Sequence, residues 1–294
     1  MTTSRPYFNK KENMRHRRLL DKTPSFVWKR FADGVALRVH MFVPPGHTPD
    51  SFAPAVMFFH GGMWMLDYEE EFVSWAMHLA NRGIVCLLPQ YRTRARFEVE
   101  AHDIIQDGLD AWRWLQHNAD GLGIDRSRIV LAGSDAGGLM ALNAAMPPLK
   151  PRPWWKLFSK PDPLPPMPAG VAIFRGVVDV EEAEARTLNV LAEMPDPSII
   201  NPCALLRRDL PPLFCAHGMA DPLLDYEIRE WFCEEWERLG NKVELVLFPN
   251  VDHTLTQFDV NPSEFEQMLL AWENFMIHRG IWPEPDEELS ALME

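Results

Sequence analysis

The sequence predicts one α/β domain with a mostly parallel central sheet, helices on both faces of the sheet and a small cap. Three observations predict this fold class. The length of 294 residues suits a single α/β domain, short apolar runs alternate with helix-length segments, and no internal repeat interrupts the alternation. Strands separated by helices imply right-handed crossovers and parallel pairing. We therefore expect residues 1–294 to form one domain.

The first two strands are expected to pair differently from the rest. Segments 26–31 and 35–43 are joined by Ala-Asp-Gly, and the Asp-Gly pair is typical of a tight antiparallel hairpin. Such a hairpin belongs at the edge of the sheet. The remaining strands are expected at 55–59, 84–88, 128–133, 170–174, 212–216 and 243–248, and the helices between them at 71–82, 103–118, 137–146, 226–239 and 263–279.

Three stretches lie outside this alternation, at 1–24, 147–168 and 181–209. The second is rich in proline and contains Trp154 and Trp155, so it is too broken for a helix. Loops after the carboxyl ends of parallel strands build binding sites in α/β proteins. We therefore expect these stretches to form cap or lid elements, although the tryptophans would equally suit packing against the body or a partner subunit.

The composition limits the classes of partner. Hydrophobic residues make up 47% of the chain, enough for a large core, and the net charge of −13 disfavours nucleic acid and anionic membranes. No apolar run approaches the roughly 20 residues of a membrane helix, and the four cysteines lack paired spacing. Residues 1–20 contain no apolar h-region, so we expect no secretory signal there. We expect a cytoplasmic protein with a small-molecule ligand and no metal or cofactor; a homodimer stays open.

A strand, a tight turn and a helix carry the chemistry. An apolar strand at 128–133 runs into Gly133-Ser134-Asp135-Ala136-Gly137, and a helical segment follows. This pattern is typical of a nucleophile elbow, in which a strained turn exposes one side chain between two glycines. The start of the helix supplies backbone N–H groups and a positive dipole end for a developing anion.

Two further motifs follow other strands. The strand at 55–59 runs into His60-Gly61-Gly62-Met63-Trp64, whose glycines let backbone N–H groups approach a substrate oxygen. Asp221 follows the strand at 212–216, and His253 follows the strand at 243–248. Nucleophile, acid and histidine in this order are typical of one group of hydrolases. The side chains expected to line the substrate pocket are Trp64, Met63 and Ser134.

From about residue 35 to 279, these motifs resemble the hormone-sensitive-lipase and carboxylesterase-like group of α/β-hydrolases. His-Gly-Gly-x-Trp is also similar to the signature of kynurenine formamidases. The resemblance implies the α/β-hydrolase fold and hydrolysis of a small carboxylic ester or amide. It also implies a catalytic triad at Asp135, Asp221 and His253, and an oxyanion hole formed by the N–H groups of Gly61, Gly62 and Ala136.

The sequence departs from the resemblance at the nucleophile, where the group has serine. Gly133 and Gly137 bracket Asp135, so Ser134 lies off the apex of the turn and is not expected to replace it. Acyl transfer to a carboxylate would give an anhydride that is less stable than the ester consumed, so we expect weak esterase activity. We also expect an ionised Asp135 to occupy the oxyanion site, paired with a charged His253.

Three interpretations of Asp135 stay open. It could be a true nucleophile, as in haloalkane dehalogenases and epoxide hydrolases, although Ala136 stands where dehalogenases usually have tryptophan. The protein could be a pseudo-hydrolase that binds a ligand without turnover, as the gibberellin receptor does on this fold. The gene could also carry a serine-to-aspartate change in an ordinary esterase.

Overall fold

A computed structural model describes residues 10–147, 165–186 and 197–284. The predicted cap therefore lies partly outside the described residues. Trp154 and Trp155 are among the residues that it does not describe. Within the stretch 1–24, residues Lys10–Leu20 form a helix. The Nη1 atom of Arg17 in this helix lies 3.1 Å from the Oε2 atom of Glu69.

The described residues form an eight-stranded sheet with the strand order β1-β2-β4-β3-β5-β6-β7-β8. The β1–β2 and β2–β4 pairs are antiparallel and the other neighbouring pairs are parallel. The predicted edge hairpin and parallel sheet are therefore confirmed. The strands are β1 Ser25–Arg30, β2 Ala36–Phe42, β3 Ala53–Phe59, β4 Val85–Pro89, β5 Ile124–Ser134, β6 Gly170–Phe174, β7 Leu213–Gly218 and β8 Val243–Phe248.

Helices connect the parallel strands, as the alternation predicts. One predicted helix, at 71–82, differs at its start, because a 3-10 turn at Glu69–Phe72 precedes it and turns the Glu71 side chain inward. The helices are α1 Lys10–Leu20, α2 Val73–Asn81, α3 Ala101–Asn118, α4 Ala136–Ala145, α5 Val180–Arg186, α6 Pro202–Leu205, α7 Tyr226–Arg238 and α8 Pro262–His278.

The sheet is covered on both faces. Because successive strand side chains point to opposite faces, Met57 of β3 packs in one core cluster, with Trp112 of α3, and Phe58 packs in the other, with Trp75 of α2 and Trp272 of α8. The β3 strand is buried along its whole length, which explains why it reads as a continuous apolar run.

None of the helices within 10–147, 165–186 and 197–284 combines the length and apolarity needed to cross a membrane.

Candidate active site

The turn between β5 and α4 presents Asp135 at its apex. Asp135 has φ 50° and ψ −122°, a backbone conformation that side chains rarely adopt. A Cβ atom on Gly137 would lie 2.0 Å from the Phe59 carbonyl oxygen, and one on Gly133 would lie 2.3 Å from the Gly137 oxygen. Only glycine fits at these two positions. The close packing therefore explains why Asp135, and not Ser134, faces outward from the sheet.

The carboxylate of Asp135 lies against two backbone donors. Gly62 and Met63 each donate an N–H to the Asp135 Oδ2 atom, both at 3.0 Å. The expected donors were Gly61 and Gly62, but the Gly61 N–H instead donates to the Glu71 Oε2 atom at 2.7 Å. The donor pair is thus shifted by one residue along the loop, and a fixed anion lies against it. Ala136 is buried beside Asp135 at the start of α4.

The predicted acid and base are in contact. His253 Nδ1 lies 2.7 Å from the Asp221 Oδ2 atom, and the Leu223 N–H donates to Asp221 Oδ1 at 2.8 Å. Burial alone would raise the pKa of Asp221. The hydrogen bond from His253, the charges that His253 and His217 carry at acidic pH, and the Leu223 N–H outweigh burial and lower the pKa to about 2. Asp221 is therefore ionised at neutral pH and holds the Nδ1–H of His253.

A second histidine, His217, is buried next to Asp221. The His217 side chain is fully buried, 3.4 Å from Asp221 Oδ2, and its Nε2 atom lies 3.0 Å from the Leu224 oxygen. Burial and the charge of Arg229 lower the pKa of His217 to about 4. It is therefore neutral at neutral pH and donates its Nε2–H to the Leu224 oxygen.

Arg175, which belongs to none of the sequence motifs, contacts the other ring nitrogen of His253. Its Nη1 atom lies 2.6 Å from His253 Nε2. A guanidinium has donors and no acceptor, so Nε2 must accept this hydrogen bond. His253 is therefore neutral, with its proton on Nδ1. This corrects the expected pairing of Asp135 with a charged His253, because a protonated Nε2 would meet another donor.

The remaining nitrogens of Arg175 are also bonded. Nη2 donates to Glu71 Oε1 at 2.7 Å, and Nε donates to Thr256 Oγ1 at 3.0 Å. Ser134, expected to line the substrate pocket, is instead fully buried, and its hydroxyl lies 2.7 Å from both Glu71 carboxylate oxygens. A buried ion pair thus lies beneath the predicted triad.

Sequence signals for this ion pair exist but are weak. Arg175 is a charged residue directly after the buried strand β6, at the same sheet edge as Asp135. Glu71 is the third glutamate in a row, a pattern typical of a solvated helix start. In the structure it is buried, and it contacts Ser134 at the end of β5 and Arg175 just after β6.

An open pocket of about 470 Å³, counting its mouth, lies over Asp135. Within the described residues, Asp135 Oδ1 has no hydrogen-bond partner, so one carboxylate oxygen faces this pocket while the other is anchored. Trp64, expected in the wall, is fully buried in the core and is not part of the pocket. The walls are formed by Gly62, Met63, Leu66, Tyr68, Asp135, Arg175, Leu223, His253 and Gln257.

Backbone strain is concentrated around the pocket. Four residues other than glycine have left-handed backbone here, and three of the four line the pocket. Their φ angles are 52° at Met63, 58° at Trp64, 50° at Asp135 and 44° at Arg175.

The chain is similar to several known proteins. A family model described as alpha/beta hydrolase fold matches residues 56–195. The ethyl acetate hydrolase of Pseudomonas putida is 26% identical over 236 residues, which cover 75% of this chain and 72% of that one. The isoprenylcysteine alpha-carbonyl methylesterase ICME of Arabidopsis thaliana is 24% identical, and the match covers 76% of this chain and 55% of the relative.

A solved structure shows the same architecture. The apo form of Thermogutta terrifontis esterase 2 matches with a TM-score of 0.79 and 25% identity, over 90% of this chain and 97% of that one.

Proposed function

This chain has the α/β-hydrolase fold and esterase relatives, and from that premise we propose that it binds a small ester- or amide-like molecule and turns over ordinary esters slowly. The pocket over Asp135 is the binding site in this proposal. Asp135, Asp221 and His253 form an atypical triad there.

One observation carries the proposal: Asp135 Oδ2 accepts hydrogen bonds from Gly62 and Met63. In acyl transfer, such donors stabilise the oxyanion of the tetrahedral intermediate, and each is worth roughly 10²–10³-fold in rate. Here a permanent carboxylate holds both donors and would repel a second anion at the same place. Ester hydrolysis therefore loses its main source of electrostatic stabilisation.

The base supports the same conclusion. His253 Nε2 accepts a hydrogen bond from Arg175, so its lone pair is occupied where a triad base would take the proton of a nucleophile. An attack by Asp135 on an ester carbonyl would also give an anhydride of higher energy than the ester. Binding without rapid turnover fits all three features.

The test measures turnover and binding separately. We expect hydrolysis of p-nitrophenyl acetate and butyrate no more than about 10³–10⁴-fold above water, and no stable fluorophosphonate label on the buried Ser134. In calorimetry, p-nitrobutyranilide, the amide matched to the butyrate ester, should bind saturably. Leu223→Trp, which fills the pocket, should abolish that binding. Rapid hydrolysis that disappears in His253→Ala would contradict the proposal.

A second candidate is an Asp-nucleophile hydrolase, because Asp135 Oδ1 faces the pocket while Oδ2 is held by Gly62 and Met63. That arrangement leaves one oxygen available to displace a leaving group from an alkyl carbon. A single turnover of an alkyl chloride or epoxide in ¹⁸O-water decides between the two. Label in Asp135 would favour this candidate, and we expect none.

A further inference from the structure

The charges around the pocket do not balance. Among the described residues that line it, Arg175 carries the positive charge, and Glu71 neutralises it at 2.7 Å. His253 is neutral, because Nε2 accepts from Arg175 and Nδ1 donates to Asp221. Within the part of the chain that the structure describes, Asp135 and Asp221 are then left as two negative charges without a neighbouring cation in the pocket.

The two carboxylates differ in the number of hydrogen-bond donors that their oxygens have. Asp221 has donors on both oxygens, from His253 and from the backbone N–H groups of Leu223 and Leu224. Asp135 is only 5% exposed, and its Oδ1 atom has no donor among the residues described here. A ligand that fills the pocket displaces water from this oxygen, and leaving a charged acceptor without a donor then costs more than the about 1–3 kcal/mol of a neutral one. The pocket therefore favours a ligand that brings a donor to Oδ1.

We propose that this ligand carries a protonated amine, which binds Asp135 Oδ1. The proposal rests on the proposed function and names the class of ligand held at the same site. A charge-assisted hydrogen bond is roughly twice as strong as a neutral one, and the ammonium charge offsets the negative excess. An anionic ligand is disfavoured, because Asp135 would repel it and Glu71 already neutralises the charge of Arg175.

The apolar side chains that line the pocket indicate the chemistry of the rest of the ligand. Met63, Leu66 and Leu223 line the pocket together with the ring of Tyr68. Such a wall stabilises a hydrocarbon body at about 25 cal/mol for each Å² removed from water. An aromatic ring also attracts a nearby cation through its quadrupole. The expected ligand is thus a small amine on an apolar or aromatic body.

The test compares three probes of similar shape on the whole chain at neutral pH. Calorimetry with benzylamine, benzyl alcohol and benzoate varies the charge while the ring stays the same. We expect benzylamine to bind at least about tenfold more tightly than benzyl alcohol and benzoate to give no saturable signal. Equal affinities for the amine and the alcohol, or tighter binding of benzoate, would overturn the proposal.

Two variants test whether the preference for benzylamine depends on Asp135. Asp135→Asn keeps an acceptor for Gly62 and Met63 but turns an amide N–H₂ toward the pocket. The affinity for benzylamine should therefore fall about tenfold or more, while the affinity for benzyl alcohol changes little. Asp252→Asn is the matched control, because Asp252 bonds to Thr254 and does not line the pocket. It should change neither affinity more than about twofold. Undiminished benzylamine binding in Asp135→Asn would contradict the proposal.

Binding of p-nitrobutyranilide and of benzylamine tests the proposed function and the amine proposal separately. If p-nitrobutyranilide binds and benzylamine does not, the amine assignment fails and the proposed function stands. If neither binds, both fail.

Discussion

Arg175 donates to the nitrogen of His253 that a triad base needs free, so one side chain decides whether this histidine can accept a proton. A guanidinium stays protonated at any ordinary pH. The Nε2 lone pair is therefore occupied for as long as Arg175 keeps its place between Glu71 and Thr256. A serine at position 135 would supply a hydroxyl but no available base.

We expect Asp135→Ser alone to gain little ester hydrolysis. Adding Arg175→Met frees His253, and adding Glu71→Gln prevents a buried carboxylate from losing its partner. The triple variant should hydrolyse p-nitrophenyl acetate about 10²-fold faster than Asp135→Ser, since general-base catalysis contributes at least that much. The measurement is kcat/KM, and His253→Ala in the triple variant should remove the gain.

A readout independent of turnover is the ¹⁵N chemical shift of His253 in the unmodified chain. It should show an unprotonated Nε2 atom at neutral pH. A protonated Nε2, or an Asp135→Ser variant as fast as the triple variant, would contradict this role of Arg175.

Sequence motifs predict some of the site residues better than others. Asp135 follows β5 directly, and Asp221 and His253 lie in the loops after β7 and β8, so the parallel sheet brings all three to one edge. Arg175 and Glu71 belong to no motif, and their pairing spans 104 positions in the chain. Such a contact depends on how β6 and the turn before α2 pack together, which local periodicity does not encode. Trp64 was expected in the pocket wall, but a buried loop anchor carries the same sequence signal.

At the scale of the element, the turn between β5 and α4 depends on backbone contact. Gly137 lies so close to the end of β3 that an added Cβ atom would overlap two carbonyl oxygens, those of Phe59 at 2.0 Å and His60 at 2.3 Å. Backbone atoms cannot move aside as a flexible side chain can.

Gly137→Ala should therefore lower the free energy of unfolding by about 3 kcal/mol or more. Gly121→Ala is the matched control, because a Cβ atom there meets nothing within 4 Å and the φ angle is ordinary. Urea unfolding followed by far-UV circular dichroism measures both variants. Similar stabilities for the two would show that the turn tolerates a side chain.

The strands were predicted well where apolar residues are continuous and less well where they are not. β6 and β8 have the predicted bounds. β5 begins four residues earlier than expected, at Ile124, because its first part is the polar run Asp125-Arg126-Ser127-Arg128. Ile124 pairs with Ala53 of β3, and the register then shifts so that Ala55 pairs with Ile129. The polar run lies in this irregularity, which apolar patterning does not indicate.

At the scale of the whole molecule, the order of elements predicts the fold because parallel strands with crossover helices have few alternatives. The contacts between helices far apart in the chain are less visible in the sequence. Glu273 of α8 is 5% exposed and bonds to two residues near the end of α2, His78 at 2.5 Å and Arg82 at 3.1 Å. These contacts connect segments about 190 residues apart.

Glu273→Ala should lower the free energy of unfolding by about 3 kcal/mol, because it leaves Arg82 half-buried without its partner. The control is Glu235→Ala, which removes an exposed ion pair with Arg238 and should change stability little. Chemical denaturation of both variants gives the comparison. An equally small effect at Glu273 would show that these contacts do not stabilise the packing of α8 on α2.

The strained backbone at Met63, Trp64, Asp135 and Arg175 has an evolutionary consequence. Each left-handed residue costs roughly 1 kcal/mol, so together they take about 4 kcal/mol from a fold whose net stability is commonly 5–15 kcal/mol. In a lineage that no longer used the pocket, glycine or asparagine at these positions would relieve the strain without penalty. Random drift would then relax the loops within few substitutions. The chain carries this strain at three residues that line the pocket, so the shape of the pocket costs the fold part of its stability.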